Sequence, residues 1–377
     1  MSLSRAHQGP VVRTPAHPPE QPATALTPRG RLVYAGSVIV DIGVAVPAVP
    51  AAGTEVLATH AEITAGGGAN TLIAAARDGA AIAYAGRYGS GPFGTIIADM
   101  LHDIGCATPI TPSVNRDSGY CIVMVDDAAE RTFITVDGAE ADISANDLSA
   151  IAVNDRDLVA VTGYVLTPAT GAGAMPAWLD AIPSARVLLD PSPVFGTVAD
   201  GVRRRVLARA DVLTANADEA RELARAEPGA PLVEVATRLR TLLRPDAVVL
   251  VRDGGSGCWI ADSTGTRIVT GFPQRAIDTT GAGDTHLGVL CAALLRGDSI
   301  DAAARRANAA ASLSVTRRGP ATSPTAGETD ALLAGGPRIR PHADVPVTPS
   351  GRDDAPPRVG HPSSNEAAAS GDTDQAR

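Results

Sequence analysis

The sequence predicts an α/β protein, a three-layer α/β/α sandwich with a mostly parallel central sheet and a small, separate β-sheet. Three observations support this prediction. Short apolar runs alternate with helical patterns along the body of the chain, as in parallel strands that are covered on both faces. Hydrophobic residues make up 45% of the chain, which is ample for a large core. Two stretches interrupt the alternation and have the pattern of paired strands.

The central sheet and its two helix layers are predicted because strand candidates and helix candidates alternate along the chain. The strand candidates are rich in β-branched and other apolar residues and are Leu32–Val40, Ala81–Gly86, Leu158–Thr162, Val187–Asp190, Val212–Thr214 and Ala247–Val251. The helix candidates have helical periodicity and are Ala69–Arg77, Phe93–Asp103, Asp218–Arg225, Leu232–Leu243, Ala282–Leu295 and Ile300–Val315. This order favours one parallel sheet with helices on both faces.

The small sheet is expected from residues 43–64 and 107–137. In the second stretch, Tyr120–Val125 and Arg131–Val136 are predicted to pair around a turn at residues 126–128. Such a sheet is suited to cover a site as a lid, and its exposed strands favour a homodimer. The remaining ends, residues 1–30 and 336–377, are rich in Pro, Ser, Gly and Ala and are predicted to be disordered, so the folded domain is expected at 31–335.

The charge composition excludes several kinds of chemistry. The chain has 32 Lys+Arg, and all of them are arginine. A Schiff-base lysine, a P-loop lysine and the strand lysine of protein kinases are therefore excluded, and any phosphate chemistry must use backbone amides, arginine or a metal. The net charge of -9 argues against a nucleic-acid partner, because the basic surface that neutralises phosphates is missing.

Membrane and disulfide classes are also disfavoured by the sequence. No segment has the roughly 20 uninterrupted apolar residues that span a bilayer, and the N-terminal residues lack the apolar run of a signal peptide. The four cysteines lie far apart without a C-x-x-C pair, so neither a disulfide nor a cysteine metal site is expected. These features predict a cytoplasmic protein without a membrane partner.

The most informative motif is Asp278-Thr279-Thr280-Gly281-Ala282-Gly283-Asp284, directly before an apolar helical run. Small residues at a helix start let the amides of Gly281–Gly283 converge on an anion, which the helix dipole also attracts. A carboxylate there would repel a resting phosphate, so Asp284 makes chemical sense as the base that deprotonates an attacking hydroxyl. The alternative is a glycine turn with Asp284 as an ordinary helix cap.

Two further motifs offer groups that bind hydroxyls. Gly66-Gly67-Gly68 precedes Asn70 at the start of a predicted helix, where glycines allow close backbone approach and Asn70 supplies a donor and an acceptor. Asp41 ends the first predicted strand, and carboxyl ends of strands in open α/β sheets are where ligands bind. A flexible hairpin capped by Asn70 and a turn aspartate are the structural alternatives.

The remaining motifs are less decisive. Asn216 and Glu219 follow the strand that ends at Thr214, and they fit either a helix capping box or a site near magnesium and phosphate. Residues 89–94 fit the dinucleotide pattern G-x-G-x-x-G, but they do not follow the first strand of a β-α-β unit. We therefore interpret these glycines as a structural turn.

Together these motifs resemble the ribokinase-like sugar kinases, the pfkB family of carbohydrate kinases. The segments Gly66–Asn70 and Ala74–Ala80 are similar to the amino-terminal signature of the family, and Asp278–Gly288 is similar to the carboxy-terminal one. The resemblance covers about residues 32–333. It implies a ribokinase-like fold, ATP and Mg²⁺ as cofactors, and transfer of the γ-phosphoryl group to a primary hydroxyl of a sugar.

The resemblance also implies a role for particular positions. The catalytic positions are Asp284 as general base and Gly281, Ala282 and Gly283 as anion hole, and the substrate positions are Asp41, Gly66, Gly67 and Asn70. The nucleotide positions are Asn216, Glu219, Gly254, Thr280 and Asn308, with Glu219 acting indirectly on magnesium. A potassium ion is implied beside the anion hole, at Asp278, Thr280, Ser314, Arg317, Gly319 and Ser323.

Departures from the family pattern concern the substrate. Ribokinases have a lysine where this chain has Gly67 and a sugar-contacting glutamate near the segment that here contains Tyr164 and Leu166. Ribose is therefore not the expected substrate, and another sugar or a nucleoside fits as well. Aromatic residues, on which a nucleoside base would stack, make up only 3% of the chain. A sugar-binding regulator without activity is a third interpretation, which the catalytic motif disfavours.

Overall fold

The computed structural model describes residues 30–128 and 130–335, so the predicted disordered ends lie outside the described residues except for Gly30. In chain order the strands are β1 (Leu32–Ala35), β2 (Val38–Ala45), β3 (His60–Gly67), β4 (Ile82–Tyr84), β5 (Tyr120–Val125), β6 (Arg131–Val136), β7 (Leu158–Thr162), β8 (Arg186–Asp190), β9 (Val212–Asn216), β10 (Val248–Arg252), β11 (Gly257–Asp262) and β12 (Gly265–Thr270). The helices are α1 (Ala69–Arg77), α2 (Pro92–Asp103), α3 (Ala145–Ser149), α4 (Ala169–Ala181), α5 (Asp200–Arg209), α6 (Ala217–Ala224), α7 (Leu232–Arg240), α8 (Ala282–Arg296), α9 (Ile300–Ser314) and α10 (Ala326–Gly335).

The central sheet has the strand order β12-β11-β10-β9-β8-β7-β1-β4. The six strands from β10 to β4 are parallel, and the hairpin β11–β12 is antiparallel at one edge. Side chains of the parallel strands are buried on both faces. Val33, Val159 and Leu189 belong to one apolar cluster, and Leu32, Leu158 and Leu188 belong to another. The predicted mostly parallel sheet between helix layers is confirmed.

A second sheet has the order β3-β2-β5-β6, in which only β2 and β5 are parallel. We call these four strands the small sheet. The predicted pair Tyr120–Val125 and Arg131–Val136 forms β5 and β6 with the expected bounds. The small sheet also contains residues 38–42 and 65–67, beyond the stretch at 43–64 in which its first part was expected.

The single strand predicted at Leu32–Val40 was wrong, because the chain leaves the central sheet after Ala35 and enters the small sheet at Val38. The crossing is at Gly36, where a Cβ would lie 2.7 Å from the Tyr34 hydroxyl and 2.8 Å from Thr162 Oγ1. The amide of Val38 then donates to the Tyr84 hydroxyl at 3.1 Å. The continuous apolar pattern hides this change of sheet.

The close packing of α1 against α8 brings the glycine-rich segment that ends at Asn70 next to the motif that ends at Asp284. A Cβ on Gly288 would lie 2.4 Å from the carbonyl oxygen of Thr71, so only glycine allows this approach. Helix α8 is buried on all sides from Thr285 to Leu294, as expected for a core helix. Its first turn is thereby fixed next to the first turn of α1.

The glycines at 89–94 form a turn whose amides bind the carboxylate of the Asp117 side chain. The amides of Gly91, Phe93 and Gly94 donate to the carboxylate of Asp117 at 3.1, 2.9 and 2.8 Å. A bound pyrophosphate would need these same amides at the start of α2. The interpretation as a structural turn rather than a dinucleotide fingerprint agrees with this geometry.

Candidate active site

Asp284 lies in the first turn of α8, where the packing of α1 surrounds it with polar groups. Thr71 Oγ1 donates to Asp284 Oδ1 at 3.2 Å, and the side chain of Asn70 also bonds this carboxylate. Burial and the negative charge of Asp190 raise the pKa of Asp284 to about 6, although these bonds and Arg252 oppose the shift. At neutral pH this carboxylate is ionised but has a much higher proton affinity than a surface aspartate.

The turn before α8 exposes backbone donors next to Asp284. Gly281 has a φ of +72°, a left-handed conformation that favours glycine. The first amides of a helix lack intrahelical partners, although that of Ala282 donates to the Thr279 carbonyl at 3.3 Å. A Cβ on Gly283 would lie 4.0 Å from Arg252 Nη2. The amide donors of this turn therefore lie close to the guanidinium group of Arg252.

Asp41 lies within β2 of the small sheet, not at the end of a central strand as the sequence suggested. Its neighbours are the predicted glycines. A Cβ on Gly66 would be 2.0 Å from Asp41 Oδ2, and Gly67, with a φ of +57°, donates its amide hydrogen to the carboxylate. Burial raises the pKa of Asp41 to about 6. The glycines thus leave room for a second high-pKa carboxylate.

If Asp41 binds substrate hydroxyls as the sequence predicts, substituting alanine for Gly66 should raise KM for that substrate by about 10- to 100-fold, because the added methyl group displaces the Asp41 carboxylate by an ångström or more. The matched control is Gly43→Ala, two residues from Asp41 in β2, where the added Cβ meets only the flexible Glu62 side chain at 3.2 Å. Steady-state kinetics of both variants measure the effect. Equal KM values for the two variants would show that the Asp41 position does not matter.

Asn70 is 5% exposed, and its side chain links the start of α1 to the first turn of α8 and to the loop after α9. Its Oδ1 accepts the amide hydrogen of Ala321 at 2.9 Å, while its side chain also bonds Asp284. One predicted role for Asn70 was to hold substrate hydroxyls with both a donor and an acceptor. In the structure its acceptor oxygen is used by the protein, so the amide nitrogen is the group that remains for Asp284 and a ligand.

Asn216 and Glu219 form the capping box that the sequence left as an alternative. Asn216 Oδ1 accepts the amide hydrogens of Asp218 and Glu219 at 3.0 and 2.9 Å, and Glu219 Oε2 accepts that of Asn216 at 2.9 Å. Glu219 Oε2 is also 3.6 Å from Arg252. Burial and the charge of Asp190 raise the pKa of Glu219, and Arg252 opposes this. Glu219 therefore caps helix α6 and at the same time lies beside Arg252 of the candidate site.

The sequence analysis did not predict a cluster of charged side chains at the ends of β8 and β10 and at the start of α6. Arg252 at the end of β10 contacts Asp190 at 3.0 Å and donates to Thr214 Oγ1 at 2.9 Å. The side chains of Arg252 and Asp190 are only 13% and 12% exposed. The sequence did contain a signal, because arginine is one of the few phosphate-binding groups left to a chain without lysine and Arg252 lies two residues before the predicted nucleotide position Gly254.

Of the three other nucleotide positions, Thr280 lies in the turn before α8, Gly254 between β10 and β11, and Asn308 in α9. Gly254 has a φ of +51° and is exposed in the turn after β10. Asn308 is 6% exposed: its Oδ1 lies 3.1 Å from His286 Nε2, and its amide donates to the Val269 carbonyl at 3.0 Å. Asn308 therefore links α8, α9 and β12 and offers little surface to a ligand.

The residues predicted to hold potassium lie around the turn before α8, but their side chains have protein partners. Asp278 accepts bonds from Thr280, from the Gly319 amide at 3.0 Å and from Arg131 at 2.5 Å. Although burial alone would raise the pKa of Asp278, these bonds and the Arg131 charge lower it below its usual value. Ser323 accepts from Arg77, Ser314 Oγ donates to the Ala311 carbonyl, and Arg317 bonds Thr322 and Glu328.

Within residues 30–128 and 130–335, no group of three or more His, Cys, Asp or Glu side chains has the arrangement of a metal site. Across the same residues, none of the helices has the length and apolar character needed to cross a bilayer.

Comparison with known proteins gives consistent results. Residues 30–326 match the model of the pfkB family carbohydrate kinases. The chain is 28% identical over 302 residues to the uncharacterized sugar kinase YegV of Escherichia coli, covering 80% of this chain and 93% of that protein. It is 31% identical over 304 residues to the ribokinase of Bacillus subtilis, covering 79% and 98%.

Solved structures show the same fold. The ribokinase of Thermotoga maritima has a TM-score of 0.69 at 22% identity, covering 81% of this chain and 99% of that one. The Arabidopsis thaliana ribokinase in complex with ribose and ATP has a TM-score of 0.66 at 24% identity, with the same coverage.

Proposed function

Because the chain belongs to the pfkB family of carbohydrate kinases, and is thus a phosphotransferase with an alcohol group as acceptor, we propose that it transfers the γ-phosphoryl group of ATP to a primary hydroxyl of a sugar-like substrate, with Asp284 as general base. The observation that carries this proposal is the buried Asp284, whose pKa is raised to about 6, in the same helix turn as the Gly281–Gly283 amides. A base with such a pKa is well matched to deprotonating a hydroxyl near neutral pH.

The residues around Asp284 divide the chemical work. Asp41 and the Asn70 amide bind substrate hydroxyls and orient the primary hydroxyl towards Asp284, which takes its proton as the oxygen attacks the γ-phosphorus. Amides at the start of α8 and the Arg252 guanidinium stabilise the charge that develops on the phosphoryl oxygens. The small sheet covers the site and keeps out water, which would otherwise be phosphorylated in place of the sugar.

The fit of Mg²⁺ is indirect. Glu219 is the carboxylate beside the site, but it already accepts the Asn216 amide and faces Arg252. It would therefore hold the ion through water and the ATP phosphates, where Mg²⁺ neutralises phosphate charge. Gly254 and Asn308 are proposed for the nucleotide side of the site, with Asn308 acting by holding α9 against β12 rather than by direct contact.

The substrate class is the finer part of the proposal, and the aromatic residues bear on it. Tyr34 is 2% exposed and offers no free face to a nucleoside base, and Tyr120 packs on Phe93 with ring centroids 5.2 Å apart. Tyr164 and Phe133 are 46% and 60% exposed. With so few open rings there is little surface on which a nucleoside base could stack, which favours a sugar over a nucleoside.

A thermal-shift panel of monosaccharides, sugar alcohols and nucleosides, each with a non-hydrolysable ATP analogue, tests this substrate class. A ligand at 100 times its Kd stabilises the protein by about 2.7 kcal/mol, which is a clear shift in Tm. We expect at least one sugar to raise Tm above the level reached with the ATP analogue alone. A shift that occurs only with nucleosides would replace the sugar by the ribosyl 5′-hydroxyl as acceptor.

The pH dependence of kcat/KM is expected to show two ionisations near pH 6. Asp284 must be ionised to accept a proton, and Asp41 binds hydroxyls more strongly as a carboxylate; the pKa of each is raised to about 6. Activity therefore falls as pH decreases through about 6, with log kcat/KM approaching a slope of two below about pH 5. A profile that stays flat through pH 6 would contradict both roles.

A homodimer through the small sheet stays a prediction. Phe133, Ile134 and Val136 of its edge strand β6 and Ile63 of its opposite edge are 41–60% exposed. Exposed apolar side chains on an edge strand favour pairing with another chain.

A further inference from the structure

One ion pair connects the small sheet to the turn that carries the anion-hole amides. Arg131 at the start of β6 places Nη2 2.5 Å from Asp278 Oδ1, across 147 positions of sequence. Both side chains are partly buried, with 28% and 19% of their surface exposed. Among the described contacts, this pair joins the small sheet directly to the residues that precede α8.

Asp278 transmits this contact to the turn. The same Oδ1 accepts the amide and the hydroxyl of Thr280 at 2.9 and 2.7 Å, and Oδ2 accepts the amide of Gly319 at 3.0 Å. Thr280 is adjacent to Gly281, whose left-handed conformation begins the anion-hole turn. The orientation of the Asp278 carboxylate therefore sets the position of that turn and of the loop after α9.

A second guanidinium holds the other side of the same loop. Arg77 at the end of α1 donates to the carbonyl oxygens of Ala321 and Ser323 at 2.8 Å each, and its Nη1 lies 3.4 Å from Ser323 Oγ. Asp278 and Ser323 both belong to the predicted potassium set, and both have side-chain oxygens near an arginine. Asp278 Oδ1 is already hydrogen-bonded to Arg131, Asp278 Oδ2 to the Gly319 amide and Ser323 Oγ to Arg77.

This arrangement does not fit a monovalent cation. A potassium ion bound by Asp278 would lie within a few ångströms of Arg131, and like charges at that distance repel strongly in a partly buried site. Arg131 of the chain itself supplies the positive charge next to Asp278.

We propose that Arg131 is a positioning residue of the kinase: with the small sheet closed, its guanidinium holds Asp278 and the anion-hole turn in place of a monovalent cation, so that activity is independent of K⁺. The inference rests on the proposed function for its kinetic consequence. Because Arg131 lies in β6 and Asp278 precedes the anion-hole turn, this pair would couple the position of the small sheet to that of the turn.

Arg131→Gln tests the proposal, with kcat and KM measured in KCl and in choline chloride of equal ionic strength. We expect the unmodified enzyme to have the same kcat in both salts. Arg131→Gln should lose about 10- to 100-fold in kcat in choline, because the turn is misplaced, and recover part of it with K⁺ or guanidinium ion. Arg131→Lys, which keeps the charge, should remain independent of K⁺.

Arg116→Gln is the matched control. Arg116 lies in the segment leading into β5 and pairs with Asp142 at 3.1 Å, away from the turn before α8. This variant should behave like the unmodified enzyme in both salts. A kcat of the unmodified enzyme that depends on K⁺, or an Arg131→Gln variant indistinguishable from Arg116→Gln, would overturn the proposal.

A readout without catalysis separates this inference from the proposed function. KCl, compared with choline chloride, should leave Tm of the unmodified protein unchanged and should raise Tm of Arg131→Gln, in which the position next to Asp278 is free for a cation. If no sugar is phosphorylated, the proposed function fails, but this comparison still decides the inference. A K⁺-dependent rise of Tm in the unmodified protein would overturn it.

Discussion

Replacing Asp284 with asparagine is expected to lower kcat by about 10²- to 10⁴-fold, the usual contribution of a general base. Asparagine has nearly the same shape and still bonds Thr71 and Asn70, but it has no basic oxygen for the proton of the attacking hydroxyl. KM for ATP and for the sugar should change little, because the binding groups stay in place. Steady-state kinetics of the variant provides the measurement.

The same substitution should stabilise the protein. Burial raises the pKa of Asp284 to about 6, so the ionised carboxylate is destabilising in the folded state above that pH. We expect Asp284→Asn to increase the free energy of unfolding by about 1–3 kcal/mol near pH 8, and the gain should vanish well below pH 4. Asp298→Asn, at the opposite end of α8, is the control and should change neither activity nor stability in this way. An unchanged kcat would refute the base assignment.

Arg252→Gln is expected to destabilise the fold by about 3–5 kcal/mol, because it leaves the buried Asp190 and Glu219 without their cation. We also expect kcat to fall by about 10²- to 10³-fold, as when one preorganised donor of an anion hole is removed. Arg252 also lowers the pKa of Asp284, so the acid limb of the pH profile should move to higher pH. Denaturant unfolding and pH–rate profiles measure the two effects.

Arg306→Gln is the matched control for this prediction. Arg306 pairs with Asp78, whose side chain is 1% exposed, at a position between α1, α9 and α10 that is remote from Asp284. Both variants lose a buried ion pair and should be destabilised, Arg306→Gln less so because Asp78 keeps Arg296 at 2.8 Å, but only Arg252→Gln should change kcat and the pH profile. Equal kinetic effects in the two variants would mean that Arg252 acts only through stability.

The parts of the fold that could be predicted are those with a local cause. Apolar runs and helical periodicity identified the central strands, and the alternating run Arg131–Val136 was identified as β6. The turn residues before α8 were recognisable because Gly281 and Gly283 combine with Asp284 at fixed spacing. Periodicity could not show that the apolar run Leu32–Val40 divides between two sheets, because both halves are buried.

The missed parts of the candidate site are those that only the tertiary fold assembles. Arg252 and Asp190 end the strands β10 and β8, Glu219 lies in the first turn of α6 after β9, and no sequence spacing connects the three. Arg131 meets Asp278 because β6 lies over the turn, although both residues had been noted separately as parts of a strand and of a motif. Packing of α1 on α8 likewise brings the Thr71 hydroxyl and the Asn70 side chain to Asp284.

The central claim is transfer of the γ-phosphoryl group to a primary hydroxyl with Asp284 as base. The most direct test is to identify the product of the sugar that gives the largest thermal shift, by ³¹P NMR with proton coupling, for the unmodified enzyme and Asp284→Asn. We predict a phosphate monoester coupled to the two protons of a CH₂ group, formed in step with ADP, and almost none with the variant. Inorganic phosphate as the only product, or an undiminished ester with Asp284→Asn, would contradict the account.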